Sequence, residues 1–85
     1  MHTGILNLSA YAFVALDRLN ERRETLYQHA LAQGVKGTVL LAEEGINLVI
    51  AGAEPGVRRW LAGLREEPRL AALEVSTTQV IEAVR

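Results

Sequence analysis

The stretch KGTVLLAEEGINLVIA, residues 36–51, decides the fold. Two short apolar runs rich in Val, Ile and Leu flank Glu43, Glu44 and Gly45. Runs of that length and composition suit strands rather than helices. The spacing predicts a strand over residues 36–42, a turn at Glu43–Gly45 with Gly45 able to take positive φ, and a strand over residues 46–51. Working outward, Gly34 stands where a helix wants a left-handed C-terminal residue. Residues 17–34 before it read as that helix. Asp17 or Asn20 is expected to cap its first N–H groups, with Glu21 and Glu24 near the positive dipole end. Leu19, Leu26, Ala30 and Leu31, with Tyr27, are expected to form its inward stripe. On the other side, Gly52 ends the hairpin and Pro55 opens a second helix. Val57, Trp60, Leu61 and Leu64 recur at i, i+3, i+4 and i+7 until Pro68 stops the pattern.

The outermost segments complete the order. Residues 5–16 read as a first strand. Its even positions, Leu6, Leu8, Ala10, Ala12 and Val14, are all apolar and mark a covered face. Its odd positions, Ile5, Asn7, Ser9, Tyr11 and Phe13, are mixed and mark a second face. Residues 70–78 are expected to hold the fourth and weakest strand, and residues 79–85 carry no clear pattern. The sequence β-α-β-β-α-β, with right-handed crossovers and a central hairpin, predicts an α+β ferredoxin-like sandwich. Its antiparallel sheet takes the order 4-1-3-2, with both helices on one face.

The chain has 85 residues, 49% of them apolar, which suits one domain over residues 1–85 and not two. Nine basic against ten acidic residues give a charge of −1, which excludes a nucleic-acid module driven by bulk charge. With no cysteine there is no disulfide, thiol nucleophile or thiolate metal site. No apolar run approaches the ~18 residues of a membrane span, and no signal-peptide pattern opens the chain. A cytoplasmic protein is the expectation.

Chemistry-bearing motifs are sparse. The glycines form neither a dinucleotide fingerprint nor a phosphate loop, so no cofactor is expected. His2 and His29 lie on different elements and read as surface histidines, not metal ligands. Glu43, Glu44 and Glu54 read as solvated carboxylates, since no apolar pocket is evident to make any of them an acid or base. Arg58, Arg59, Arg65 and Arg69 fall on or near the second helix. Arg58 and Arg65 share a face turned from Trp60 and read chiefly as a solvated stripe able to touch phosphates. Tyr11 and Phe13 are the more informative pair. Two residues apart on a central strand, they point onto the sheet face that the helices leave bare. Such a face either stacks bases, as in an RNA-recognition sheet, or packs against another domain or subunit. The low positive charge favours packing.

Several segments carry a family resemblance. KGTVLLAEEGIN (residues 36–47), AYAFVALD (residues 10–17), WLAGLR (residues 60–65), EPRL (residues 67–70) and LEV (residues 73–75) resemble the N-terminal domain of the rhodanese-related tRNA uridine hydroxylases. The likeness covers about residues 9–75. It implies an acylphosphatase-like fold, with a rhodanese domain carrying the active-site cysteine after it. It also implies an enzyme that hydroxylates the wobble uridine of certain tRNAs with molecular oxygen. The matching positions are Lys36, Gly37, Glu44, Gly45, Ile46 and Asn47, with Gly37 and Gly45 as turn residues. Two features depart from the family: STTQVIEAVR replaces its basic segment, and Leu48-Val49 follows EGIN. Acylphosphatase chemistry itself needs a glycine-rich loop and arginine after the first strand and an asparagine on the second. VALDRLN and GTVLLAEEG supply Arg18 and leucines instead. The resulting expectation is a non-catalytic accessory domain. It docks to a rhodanese-like domain or positions tRNA through Tyr11 and Phe13, with Lys36, Glu44, Asn47, Arg58 and Arg65 as further contacts. The alternatives are a self-associating module that pairs open faces or edge strands as a homo-oligomer, and a small hydrolase.

Overall fold

The computed structural model describes residues 2–83. The alternating first segment becomes β1 (His2–Phe13), followed by α1 (Leu19–Gln33), β2 (Lys36–Ala42), β3 (Gly45–Ala53), α2 (Glu54–Leu64), a single 3-10 turn (Pro68–Leu70) and β4 (Val75–Ala83). The four strands form one antiparallel sheet in the order β2-β3-β1-β4, as the crossover rules predict. Period-2 alternation holds along the two central strands. Leu6, Leu8 and Ala10 of β1 and Ile46, Leu48 and Ile50 of β3 are buried under the helices. The amphipathic second helix closes that core. Val57 and Trp60 are fully buried, with Leu61 and Leu64 beside them, and the Trp60 indole N–H donates to the Leu26 carbonyl of α1 at 3.2 Å.

Four local expectations need correction. The first concerns the helix cap: neither Asp17 nor Asn20 caps α1. Arg18 stands at the N-cap in a left-handed conformation (φ 48°), and Asp17 instead accepts from Arg22 and Arg69. Second, Tyr27 and Leu31 point outward, 58% and 59% exposed, and only Leu19, Leu26 and Ala30 lean on the core. Third, Gly45 does not sit at positive φ; it opens β3, where a Cβ would overlap the Ala12 carbonyl oxygen. Close strand approach is its reason to be glycine, while Gly34 and Gly37 take the positive φ values. Fourth, the last strand begins at Val75 and not at residue 70. Glu67 caps the 3-10 turn through the Arg69 N–H, and this turn with the following loop buries Leu70 and Leu73 beneath the sheet before the chain extends. β4 then pairs with β1 from Val75 to Ala83, so the segment 79–83 is strand; Val84 and Arg85 lie outside the described residues.

Charged side chains lock one end of the sandwich. Arg22 donates to the Asp17 carboxylate at 2.9 Å and to Glu67 at 2.7 Å; Arg69 reaches Asp17 at 3.2 Å. This ties the β1–α1 loop to the segment after α2. The hydrogen bond from Arg22 is the main cause holding both carboxyls below their ordinary values of 3.8 and 4.5. A depressed carboxyl stabilises the fold above its unfolded-state value, and that contribution disappears as pH falls through the native value. The melting temperature should therefore drop as pH falls below about 4.5. In Arg22→Met the neutral-pH melting temperature should be lower and the acid drop shallower. Melts at neutral and acid pH that fell equally in both proteins would contradict this.

Candidate interface on the open sheet face

Strand register brings the candidate residues together. Both helices lie on one side of the sheet, so the odd positions of β1 face solvent on the other. Tyr11 is 69% and Phe13 84% exposed, with ring centroids 6.0 Å apart in an edge-to-face arrangement. In β3, Asn47 stands opposite Tyr11 and Gly45 opposite Phe13; in β2, Leu40 stands opposite Asn47. One row further, Val49 lies opposite Ser9. Leu40 and Val49 are 62% and 59% exposed, so two large aliphatic side chains extend the aromatic pair into one patch. Tyr11, Phe13, Leu40, Ala42, Glu44, Gly45 and Asn47 line a shallow hollow of about 260 Å³. Among the described residues Asn47 makes no side-chain hydrogen bond, leaving its amide able to donate and accept beside the rings.

The other candidates stand elsewhere. Lys36 and Gly37 lie at the far end of β2, opposite Ala51 and Ile50. Arg58 and Arg65 are on α2, in the helix layer. Arg58 is paired with Glu54 at 2.7 Å, and Arg65 donates to the Leu73 carbonyl at 2.7 Å. Neither reaches the aromatic patch. His29 is half-buried rather than a surface histidine: its ring lies so close to Gly63 of α2 that a Cβ there would overlap it.

Leu40 and Val49 were not singled out from the sequence, although the signal existed. Once Ala42 is set opposite Gly45, parity places Thr38, Leu40, Asn47 and Val49 on the face of Tyr11. Apolar content alone does not reveal this, because a strand buried on both sides reads the same way.

A second hollow, of about 390 Å³, lies where α1 begins. Arg18, Arg22 and Leu41 line it together with Glu21, Glu66 and Glu67. Arg22 is already held by two carboxylates. An acyl phosphate placed there would meet three glutamates, and Leu41 offers no amide to position water.

A family model described as the UPF0176 acylphosphatase-like domain matches residues 5–84. The chain belongs to this family. UPF0176-domain relatives include proteins named tRNA uridine(34) hydroxylase. That of Variovorax paradoxus is 53% identical over 70 residues, covering 82% of the chain and 27% of the relative. That of Bordetella avium is 49% identical over 72 residues, covering 85% and 30%. The chain thus spans under a third of the length of these relatives. Among solved structures, an acylphosphatase from Coxiella burnetii superposes with a TM-score of 0.53 at 20% identity, covering 99% of this chain and 84% of that one. A PII-like nitrogen regulatory protein from Thiomonas intermedia gives 0.58 at 15% identity, covering 98% and 99%. At such identities the likeness is one of fold. The UPF0176 domain has no helix, among the described residues, long and apolar enough to cross a membrane.

Proposed function

We propose that this domain serves an enzyme that hydroxylates tRNA uridine, as its non-catalytic accessory domain, and that its open sheet face docks on the rhodanese-type catalytic domain. The observation that carries this reading is the patch of Tyr11, Phe13, Leu40 and Val49, four large side chains more than half exposed on one face. A patch of this kind, with no cationic side chain among the described residues lining its hollow, suits a protein surface better than a phosphate backbone. The relatives' names supply the enzyme, and an enzyme acting on tRNA works in the cytoplasm. A second reading, contact with the tRNA itself, draws on the Tyr11 ring and the free Asn47 amide, which would stack on and read an unpaired base.

The test is a chimera in which this chain replaces the matching segment of the Variovorax paradoxus relative, expressed in cells that lack their own hydroxylase. Nucleoside analysis of tRNA should show hydroxylated uridine restored by the chimera and absent when the segment is deleted. Full modification by the deleted protein would contradict an accessory role.

A further inference from the structure

β2 is an outer strand. Among the described residues it pairs with β3 on one side and with no strand on the other. Residues 37–42, Gly-Thr-Val-Leu-Leu-Ala, contain no charge and no proline, the two devices that commonly keep an exposed edge from pairing. Charges stand only at its ends, with Lys36 at the start and Glu43 and Glu44 in the turn that follows. Among the described residues none of these three has an ion-pair partner within the chain.

Apolar side chains flank this edge on both faces of the sheet. Leu40 is exposed on the open face. On the helix face, α1 packs over β2 and against α2. His29 marks the flank of α1 that touches α2 at Gly63. Tyr27, two residues earlier and so about 200° around the helix, lies on the opposite flank, above the β2 edge. Leu31, one turn on, continues the same exposed stripe.

We infer that the β2 edge pairs with the β2 edge of a second copy of this chain, antiparallel about a two-fold axis, joining the two sheets into one. The charges select the arrangement. Directly opposed residues share a face of the sheet. Setting Leu40 against Leu40 of the second copy therefore sets Thr38 against Ala42 and brings Lys36 to the other copy's β2–β3 turn, beside Glu43 and Glu44, once at each end of the joint. A shift by two residues takes Lys36 off Glu44, and parallel pairing sets lysine against lysine and glutamates against glutamates. Above the joint, the two α1 helices approach through Tyr27 and Leu31. Tyr11 and Phe13 remain uncovered; Leu40 is the one residue of the docking patch that this joint also uses, and sedimentation of the chain by itself reads self-association apart from docking.

Sedimentation equilibrium of the 85-residue chain tests it. The wild type should be a dimer. Lys36→Glu and Glu44→Lys should each weaken dimerisation by about tenfold or more, and Lys36→Glu with Glu44→Lys together should restore it. Leu40→Lys, which places like charges at the axis, should give a folded monomer with the circular dichroism of the wild type and a melting temperature that no longer depends on protein concentration. A wild type monomeric at hundreds of micromolar, or a charge-swapped double variant no better than the single ones, overturns the inference. So does a dimer that survives Leu40→Lys but is broken by Tyr11→Ser with Phe13→Ser, which would assign self-association to the open faces.

Discussion

Replacing Trp60 with alanine should lower the unfolding free energy by about 3–5 kcal/mol in urea denaturation. The indole is fully buried, makes its one polar contact with the Leu26 carbonyl, and fills the space between the two helices and the sheet. No buried residue of α1 helps to hold that helix down, so its attachment depends on half-buried side chains and on this tryptophan. A domain of this size has about 5–15 kcal/mol in total, so the variant should sit close to its unfolding midpoint under mild conditions. Trp60→Phe keeps most of the apolar contact and loses the hydrogen bond, and should cost about 1 kcal/mol. An alanine variant within about 1 kcal/mol of wild type would mean that α1 is held by something other than Trp60.

The second large effect leaves stability alone. Tyr11→Ser with Phe13→Ser changes two side chains that are mostly in solvent, so the isolated domain should melt within a few degrees of wild type. In the chimera the outcome should be different. Burying each ring in an interface contributes about 1.5–3 kcal/mol, so losing both weakens docking by at least a hundredfold. Hydroxylated uridine in tRNA should fall at least tenfold. Equal modification by wild-type and doubly substituted chimeras would remove the open face from the functional account. A loss accompanied by a collapsed melting temperature would trace to folding, contrary to the exposure of the two rings.

How much of this was legible in the sequence follows from the range of the interactions. The hairpin, the alternation of β1 and the Val57–Leu64 stripe are local patterns, and from them the sheet order followed through chain connectivity alone. Tyr11 and Phe13 were found for the same reason, since parity on one strand needs no tertiary information. The partners of Arg22 were not legible: Glu67 is 45 residues away, and nothing local separates that arginine from Arg23 beside it. The same distance effect misassigned Asp17, whose spacing suits a cap but whose carboxylate meets two arginines brought in by the fold. Tyr27 and Leu31 fitted a helical stripe by spacing, yet α1 covers an outer strand and buries too narrow a face to include them. Residues 70–78 read as strand because Leu70, Leu73 and Val75 are apolar, whereas the first two are core plugs held by the turn at Pro68.

The central claim is that the face bearing Tyr11 and Phe13 is the side of this domain that meets the rest of the enzyme. Placing a photo-crosslinking phenylalanine analogue at position 13 of the active chimera tests it most directly, with Arg58 on the helix layer as the control position. The account predicts a crosslink into the catalytic part from position 13 and none from position 58. Crosslinking from position 58 alone would contradict it.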